Sequence, residues 1–307
     1  MSLPALRVIR ERFPKAHIAI LAKSWVADLY KRESFADEVI LYDAKSSWRI
    51  GLALRPHKFA CAILLQNAFE AALIAWLAGI PNRIGYSRDS RGFLLTRAVR
   101  PPKPGEIPRH ERFYYLELLR RAGLVEQLPE CDAIRLNPPK AGRNGKRMIG
   151  VSPGAAYGTA KRWLPERFAK AAAQLARTRR ASIGLFGSAS ERPLCEEIAQ
   201  RLQGLDVVNY AGQTSLAQFI ELAAACELFL TNDSGAMHIA SALGVPTIAI
   251  FGATDDNTTG PTGPSARVIR QPVECSPCLL RECPIDHRCM TGVTADRVVE
   301  EALRLLD

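Results

Sequence analysis

At 307 residues, with 48% hydrophobic and 23% charged residues, the chain can bury a sizeable core, and its length favours two domains over one. No run of about 18 apolar residues occurs, which argues against a membrane-spanning helix. The net charge of +10 is unevenly carried: residues 1–147 hold 26 Lys and Arg against 14 Asp and Glu (+12), whereas residues 148–307 hold 15 against 17 (−2).

The opening MSLPALRVIRERFP threads Arg and Glu where a signal peptide needs an apolar stretch, so a cytoplasmic location is expected. The basic first half points to an anionic partner: a phosphorylated substrate, a phosphorylated lipid surface or nucleic acid. A solvated basic face without a partner is the alternative. Nucleic acid is disfavoured because no recognition module accompanies the charge.

In chain order, a helical pattern comes first, with Leu3, Leu6, Ile9 and Phe13 on one apolar face. Short apolar runs bounded by turn signals predict strands at 17–22, 38–42, 59–65 and 83–86, then at 148–152, 182–187, 228–231 and 246–251. Helical patterns between them include 69–77, 111–121, 166–177 and 191–202. Alternating strands and helices predict parallel sheets covered on both faces. The rhythm breaks at NPPKAGRNGKR (137–147) and restarts at 148. The prediction is α/β: two Rossmann-like domains, 1–140 and 148–307, with sheets facing a cleft.

Two loops in the second half carry chemistry. In TNDSGAMHIASALGVPTIAIFGAT (231–254), a strand runs into Asp233-Ser234-Gly235 and then into a helical pattern bearing His238. Ligands of open parallel sheets sit beyond the carboxyl ends of strands, where the free N–H groups of a helix start favour an anion. Plain helix capping by Asp233 or Ser234, with His238 an interior residue, is the alternative. SPGAAYGTAKRWLPERF (152–168) also follows a strand, and its Gly154, Gly158, Lys161 and Arg162 suit a loop wrapped around a diphosphate. Two such loops fit one nucleotide. Neither has the form GxGxxG or GxxxxGK[ST], which speaks against a dinucleotide fingerprint or a P-loop.

The cysteines are spaced Cys275-x2-Cys278-x4-Cys283-x5-Cys289, with His287 inside the run. That cadence allows a structural zinc stapling an otherwise irregular loop. Free thiols, with the loop held by Pro272, Pro277 and Pro284, are the alternative. Cys61, Cys195 and Cys226 read as core or incidental.

TNDSGAMHIASALGVPTIAIFG, SPGAAYGTAKRW, LFGSASE and NYAGQTSL closely resemble the family 9 glycosyltransferases, the bacterial lipopolysaccharide heptosyltransferases. LPALRVIRERFP, AILLQNAFEAALIAWLAGIPNRIGYSRDSRGFLLT and CSPCLLRECPIDHRCM resemble its heptosyltransferase II branch, and the likeness spans essentially the whole chain. The resemblance implies a GT-B fold and inverting transfer of heptose from ADP-heptose to the inner core of lipopolysaccharide, with no required cofactor. It places Lys161 at the donor phosphate or sugar, and Asp233, Ser234, Gly235 and His238 at the diphosphate and heptose. Glu191 falls on the adenosine ribose, Thr214 along the adenine, and Ala156 and Tyr157 line the donor pocket.

The acceptor implied is a phosphorylated lipopolysaccharide core at the inner face of the inner membrane. Arg83, Arg88 and Arg91, with Arg97 and Arg100 nearby, are expected to grip its phosphates or carboxylates by forked contacts. Relatives carry a strand and a Gly-Asp loop before an MSLPAL-like helix, and that Asp is the family's catalytic base. Met1 stands at what resembles the internal methionine of that motif. The expectation is therefore a base upstream of Met1, a start about 25 residues earlier, and unpaired strand edges in the first domain. A chain of this kind is either an active transferase or a truncated or inactive donor-binding protein. If it is active as written, Asp28 and Asp89 are the first alternative bases.

Overall fold

The computed structural model describes residues 1–43, 46–139 and 147–307. They divide into two compact units, Met1–Cys131 and Asp132–Asp307. This division falls before the Pro-, Gly- and cation-rich stretch that marks the break in the sequence, of which residues 140–146 lie outside the described residues. The reason is local bonding. The Ile134 N–H donates to Thr262 Oγ1 at 2.8 Å and the Leu136 N–H to the Ala242 carbonyl at 2.8 Å, which stitches the segment into the second unit.

The first unit runs α1 (Leu3–Arg12), β1 (Ala19–Ala22), α2 (Ser24–Lys31), β2 (Glu38–Leu41), α3 (Ser47–Leu54), β3 (Cys61–Leu64), α4 (Phe69–Leu77), β4 (Asn82–Tyr86), β5 (Arg97–Val99) and α5 (Glu111–Arg121). Leu3, Leu6 and Ile9 are buried along α1, as their spacing predicts. Phe13 leaves that face, being 37% exposed. It precedes Pro14, whose ring disfavours helical geometry in the residue before it, and the helix stops at Arg12. All pairings are parallel, but they form two sheets, β1-β2 and β3-β4-β5. Thus β1 and β3 each keep one edge along which no strand pairs among the described residues. One core cluster serves both sheets. Ile50 and Leu54 of α3 and Ile74 and Ala75 of α4 pack over Leu21, Ile40 and Leu64.

The second unit contains β6 (Met148–Ser152), α6 (Pro165–Arg179), β7 (Ser182–Leu185), α7 (Arg192–Gln200), β8 (Val207–Asn209), α8 (Leu216–Ala225), β9 (Leu228–Asn232), α9 (Gly235–Ala242), β10 (Thr247–Phe251), α10 (Asp256–Thr259), β11 (Ala266–Arg270), α11 (Arg288–Thr291) and α12 (Ala295–Leu306). Its six-stranded parallel sheet has the order β11-β10-β9-β6-β7-β8. The chain winds from β6 outward to β8, then returns beside β6 as β9 and winds the other way. Order reverses between β6 and β9, and a crevice beyond the carboxyl ends of those two strands is where such sheets take ligands. Every residue of β9 and β10 is buried, as a sheet covered on both faces requires. Residues of α6, α7 and α12 cover one face around Ile149, Leu185 and Ile250; Phe186, Phe229 and Ala240 anchor the other.

Candidate functional site

The two loops that carry diphosphate chemistry in the sequence are those that follow β6 and β9, at the reversal of strand order. Asn232, the last residue of β9 and fully buried, ties them together. Its Oδ1 accepts from the Trp163 N–H at 3.0 Å and its Nδ2 donates to the Pro153 carbonyl at 2.7 Å. Next along the chain, Asp233 is 7% exposed and its Oδ2 receives two donors: Lys161 Nζ at 2.5 Å and Thr254 Oγ1 at 2.7 Å. Residues from the ends of β6, β9 and β10 thus meet at one carboxylate.

Ser234 occupies the N-cap position of α9 in extended geometry, yet its side chain makes no capping bond; its Oγ lies 3.1 Å from Thr231 Oγ1. Asp233 is turned to Lys161 and Thr254. Capping therefore does not account for the residues at this helix start. A Cβ built on Gly235 would meet nothing within 4 Å, so the space before the first turn is open. His238 stands in that turn, half-buried. Fixed N–H dipoles and a positioned ammonium at one opening can bind an anion and stabilise charge developing on a leaving phosphate.

Glu191 reaches the same region from the loop after β7. Its Oε2 accepts from the Ser188 N–H at 2.8 Å and from Ser188 Oγ at 2.9 Å, closing a capping box. A Cβ on Gly154 would lie 2.0 Å from its Oε1, so the carboxylate rests against bare backbone of the β6 loop. Thr214 precedes α8, in the turn whose Gly212 N–H donates to the Gly187 carbonyl at 2.9 Å. Ala156 and Tyr157 are exposed; the Tyr157 hydroxyl donates to the Leu279 carbonyl at 2.7 Å, and Lys161 Nζ lies 4.8 Å from its ring centroid. All nine residues read as donor-binding thus belong to the second unit, on the loops after β6, β7, β8 and β9 or, for Gly235 and His238, in the helix α9 that follows. The reading missed Asn232 and Thr254, which lie near the two ends of its own motif.

In the first unit the structure corrects one of the three arginines. Arg91 is completely buried, with its guanidinium donating to the carbonyls of Tyr86 (3.0 Å), Ala68 (3.1 Å) and Gln66. Burial pulls its pKa down. Arg83 turns back on its own loop, donating to the Leu94 carbonyl at 2.6 Å and the Ile80 carbonyl at 2.5 Å. Both fasten backbone, and Arg91, fully buried, is not available to an acceptor, whereas Arg83 is only half-buried. Arg88 and Arg100 remain exposed. A side-chain hydrogen bond with Tyr114 pushes the Arg88 pKa up.

Cys275 is exposed, Cys278 and Cys283 half-buried and Cys289 buried. Burial first, then the neighbouring Cys275, Cys283 and Cys278 thiols, push the Cys289 pKa up, so the four share one neighbourhood. No three His, Cys, Asp or Glu side chains converge as a metal-ligand set among the described residues. Cys195 and Cys226 are core residues, and burial pushes the Cys195 thiol up to about 12; Cys61 is exposed.

The profile described as glycosyltransferase family 9 (heptosyltransferase) matches residues 47–288. The chain belongs to this family. A lipooligosaccharide heptosyltransferase 2 of Campylobacter jejuni is 30% identical over 100% of this chain and 94% of its own length. A lipopolysaccharide heptosyltransferase 2 of Escherichia coli K12 is 31% identical over the same shares. Among solved structures, the Escherichia coli ADP-heptose lipopolysaccharide heptosyltransferase II superposes with a TM-score of 0.82 at 29% identity, covering 99% of this chain and 94% of that one. A family 9 glycosyltransferase of Veillonella parvula shares the fold at 21% identity, with a TM-score of 0.84 over 99% and 92%. The α/β class with parallel sheets, expected as GT-B, and the assignment as a glycosyltransferase enzyme stand on these matches together with the geometry.

Proposed function

We propose that the chain transfers heptose from ADP-heptose to a phosphorylated lipopolysaccharide core, with inversion at the anomeric carbon. The observation that carries this reading is the junction of Lys161, Asp233 and Thr254 beside the uncapped start of α9. As the bond from the sugar to ADP breaks, negative charge grows on the diphosphate while the sugar centre becomes oxocarbenium-like. The Lys161 ammonium and the α9 N–H groups stand ready for that charge without reorganising. Asp233, holding Lys161 and accepting from Thr254, acts as a positioning residue. Glu191 and Thr214 supply the nucleoside end of the pocket.

Arg88 and Arg100, both exposed in the first unit, meet the acceptor phosphates in this reading. No helix among the described residues is long and apolar enough to cross a membrane. The basic first half and its exposed Trp25, Trp48, Trp76 and Phe93 support a peripheral station at the cytoplasmic membrane face. No resident cofactor is required by this chemistry. A metal at the four cysteines would be structural, and elemental analysis of the purified protein tests for it.

Calorimetric titration with nucleoside diphosphates tests the donor reading. ADP is expected to bind more tightly than UDP or GDP, and Lys161→Ala to weaken it about tenfold. Equal binding of all three would overturn the reading.

A further inference from the structure

The charge of the donor site is incomplete as described. Lys161 is already paired with Asp233 at 2.5 Å, and this pair as a unit is close to neutral. A diphosphate bears a negative charge on each phosphate, and one arriving here meets the like charge of Asp233 as well. Another cation is needed beside Lys161. Arg162 is on the same loop, but its guanidinium turns toward the Ala155 carbonyl at 3.4 Å and its Nε is buried without a partner.

The cysteine-bearing segment supplies the cation. It is fastened to the loops after β6 and β10, which supply Lys161 and Thr254 to the site. Leu279 donates its N–H to the Ala253 carbonyl at 2.8 Å and accepts the Tyr157 hydroxyl at 2.7 Å; Ser276 Oγ donates to the Gly252 carbonyl at 2.6 Å. The Arg281 carbonyl accepts the Ala160 N–H at 2.9 Å, one residue before Lys161. A Cβ on Gly158 would fall 2.1 Å from that same carbonyl oxygen, so only glycine permits the approach. The Arg281 guanidinium lies 5.4 Å from the Tyr157 ring centroid, and Lys161 Nζ lies 4.8 Å from the same ring. The two cations are thus within about 10 Å of each other. Arg281 is exposed and has no carboxylate partner among the described residues.

We propose that Arg281 is a donor-binding residue whose guanidinium meets the diphosphate beside Lys161. Its fixed backbone and free fork suit phosphate oxygens better than a mobile lysine would. This makes the segment that holds the cysteines a wall of the donor pocket, with Tyr157 as the spacer between the two cations. The proposal rests on the ADP-sugar reading above.

The test is to titrate wild type, Arg281→Ala and Arg281→Lys with ADP and with adenosine, using ligand-detected NMR for the weaker ligand. Arg281→Ala should weaken ADP about tenfold and leave adenosine binding and the melting temperature unchanged, because the lost contact is to phosphate. Arg281→Lys should recover part of the loss. Unchanged ADP affinity in Arg281→Ala would overturn the proposal. So would a parallel loss of ADP and adenosine binding, which marks a structural role. Failure of the wild type to bind ADP would instead overturn the donor reading, and this proposal with it.

Discussion

Arg91 and Arg88 are three residues apart and have opposite fates. Asp89 and Ser90 between them both take left-handed backbone geometry, with φ of 52° and 54°. That local reversal leaves Arg88 in solvent and sends Arg91 into the interior, where it serves the carbonyls of Tyr86, Gln66 and Ala68. Removing the guanidinium strands those acceptors. Arg91→Ala is expected to cost about 3 kcal/mol or more of stability, seen as a shifted denaturant midpoint. Arg88→Ala should leave the midpoint within about 0.5 kcal/mol. Equal midpoints for the two variants would refute the assignment. A count of cations along the sequence does not reveal this, because the deciding feature is the backbone angle of the residues between them. The loops after β6 and β9 were easier to read, since strand-to-helix alternation alone directs attention to them, whereas Glu191, Thr214, Ala156 and Tyr157 were expected only from the family resemblance.

At the scale of elements, most strands announced themselves as apolar runs, and β5, β8 and β11 did not. β9 and β10 are buried throughout, and their Leu228–Leu230 and Ile248–Phe251 stretches stand out as apolar runs. β5 and β8 have three residues each, and β11, Ala-Arg-Val-Ile-Arg at the sheet edge, is interrupted by arginine; none carries a run long enough to stand out. Helix α5 shows a polar pattern hidden in the same way. Glu117 is 1% exposed and accepts from Arg120 at 2.7 and 2.8 Å and from Arg121 at 2.6 Å. The Arg120 hydrogen bond first, with that of Arg121, holds its pKa below the usual carboxylate value against the opposing effect of burial. A carboxylate depressed in the folded state stabilises fully above its unfolded pKa, near 4.5. That contribution is lost as pH falls through the folded value. Glu117→Gln should therefore cost roughly 2 kcal/mol at pH 7. The gap from wild type should close as pH drops below about 4. A gap independent of pH would show that the ionised carboxylate is not the source.

Across the whole molecule, charge and exposed aromatic rings gather in the first unit while the donor chemistry belongs to the second. Trp25, Trp48, Trp76 and Phe93 are 71%, 55%, 51% and 77% exposed, in a unit whose 21 Lys and Arg against 13 Asp and Glu give +8. Sedimentation with phosphatidylglycerol-containing vesicles should pull the protein down at low salt and release it as salt screens the attraction. Phosphatidylcholine vesicles should not retain it. Indifference to lipid charge would contradict a basic membrane-facing unit. Only the broad division was legible in the sequence. The bonds of Ile134 and Leu136 that give the connecting segment to the second unit depend on partners more than a hundred residues away.

The central claim is that Lys161, set by Asp233 and Thr254 at the open start of α9, stabilises the departing ADP. Steady-state transfer of heptose from ADP-heptose to a phosphorylated core acceptor, compared between wild type and Lys161→Ala, tests it most directly. The predicted result is a fall of about a hundredfold or more in kcat, persisting at saturating donor, since the ammonium acts where charge develops. A Lys161→Ala enzyme with wild-type kcat, or one impaired only in KM for the acceptor, would contradict the account.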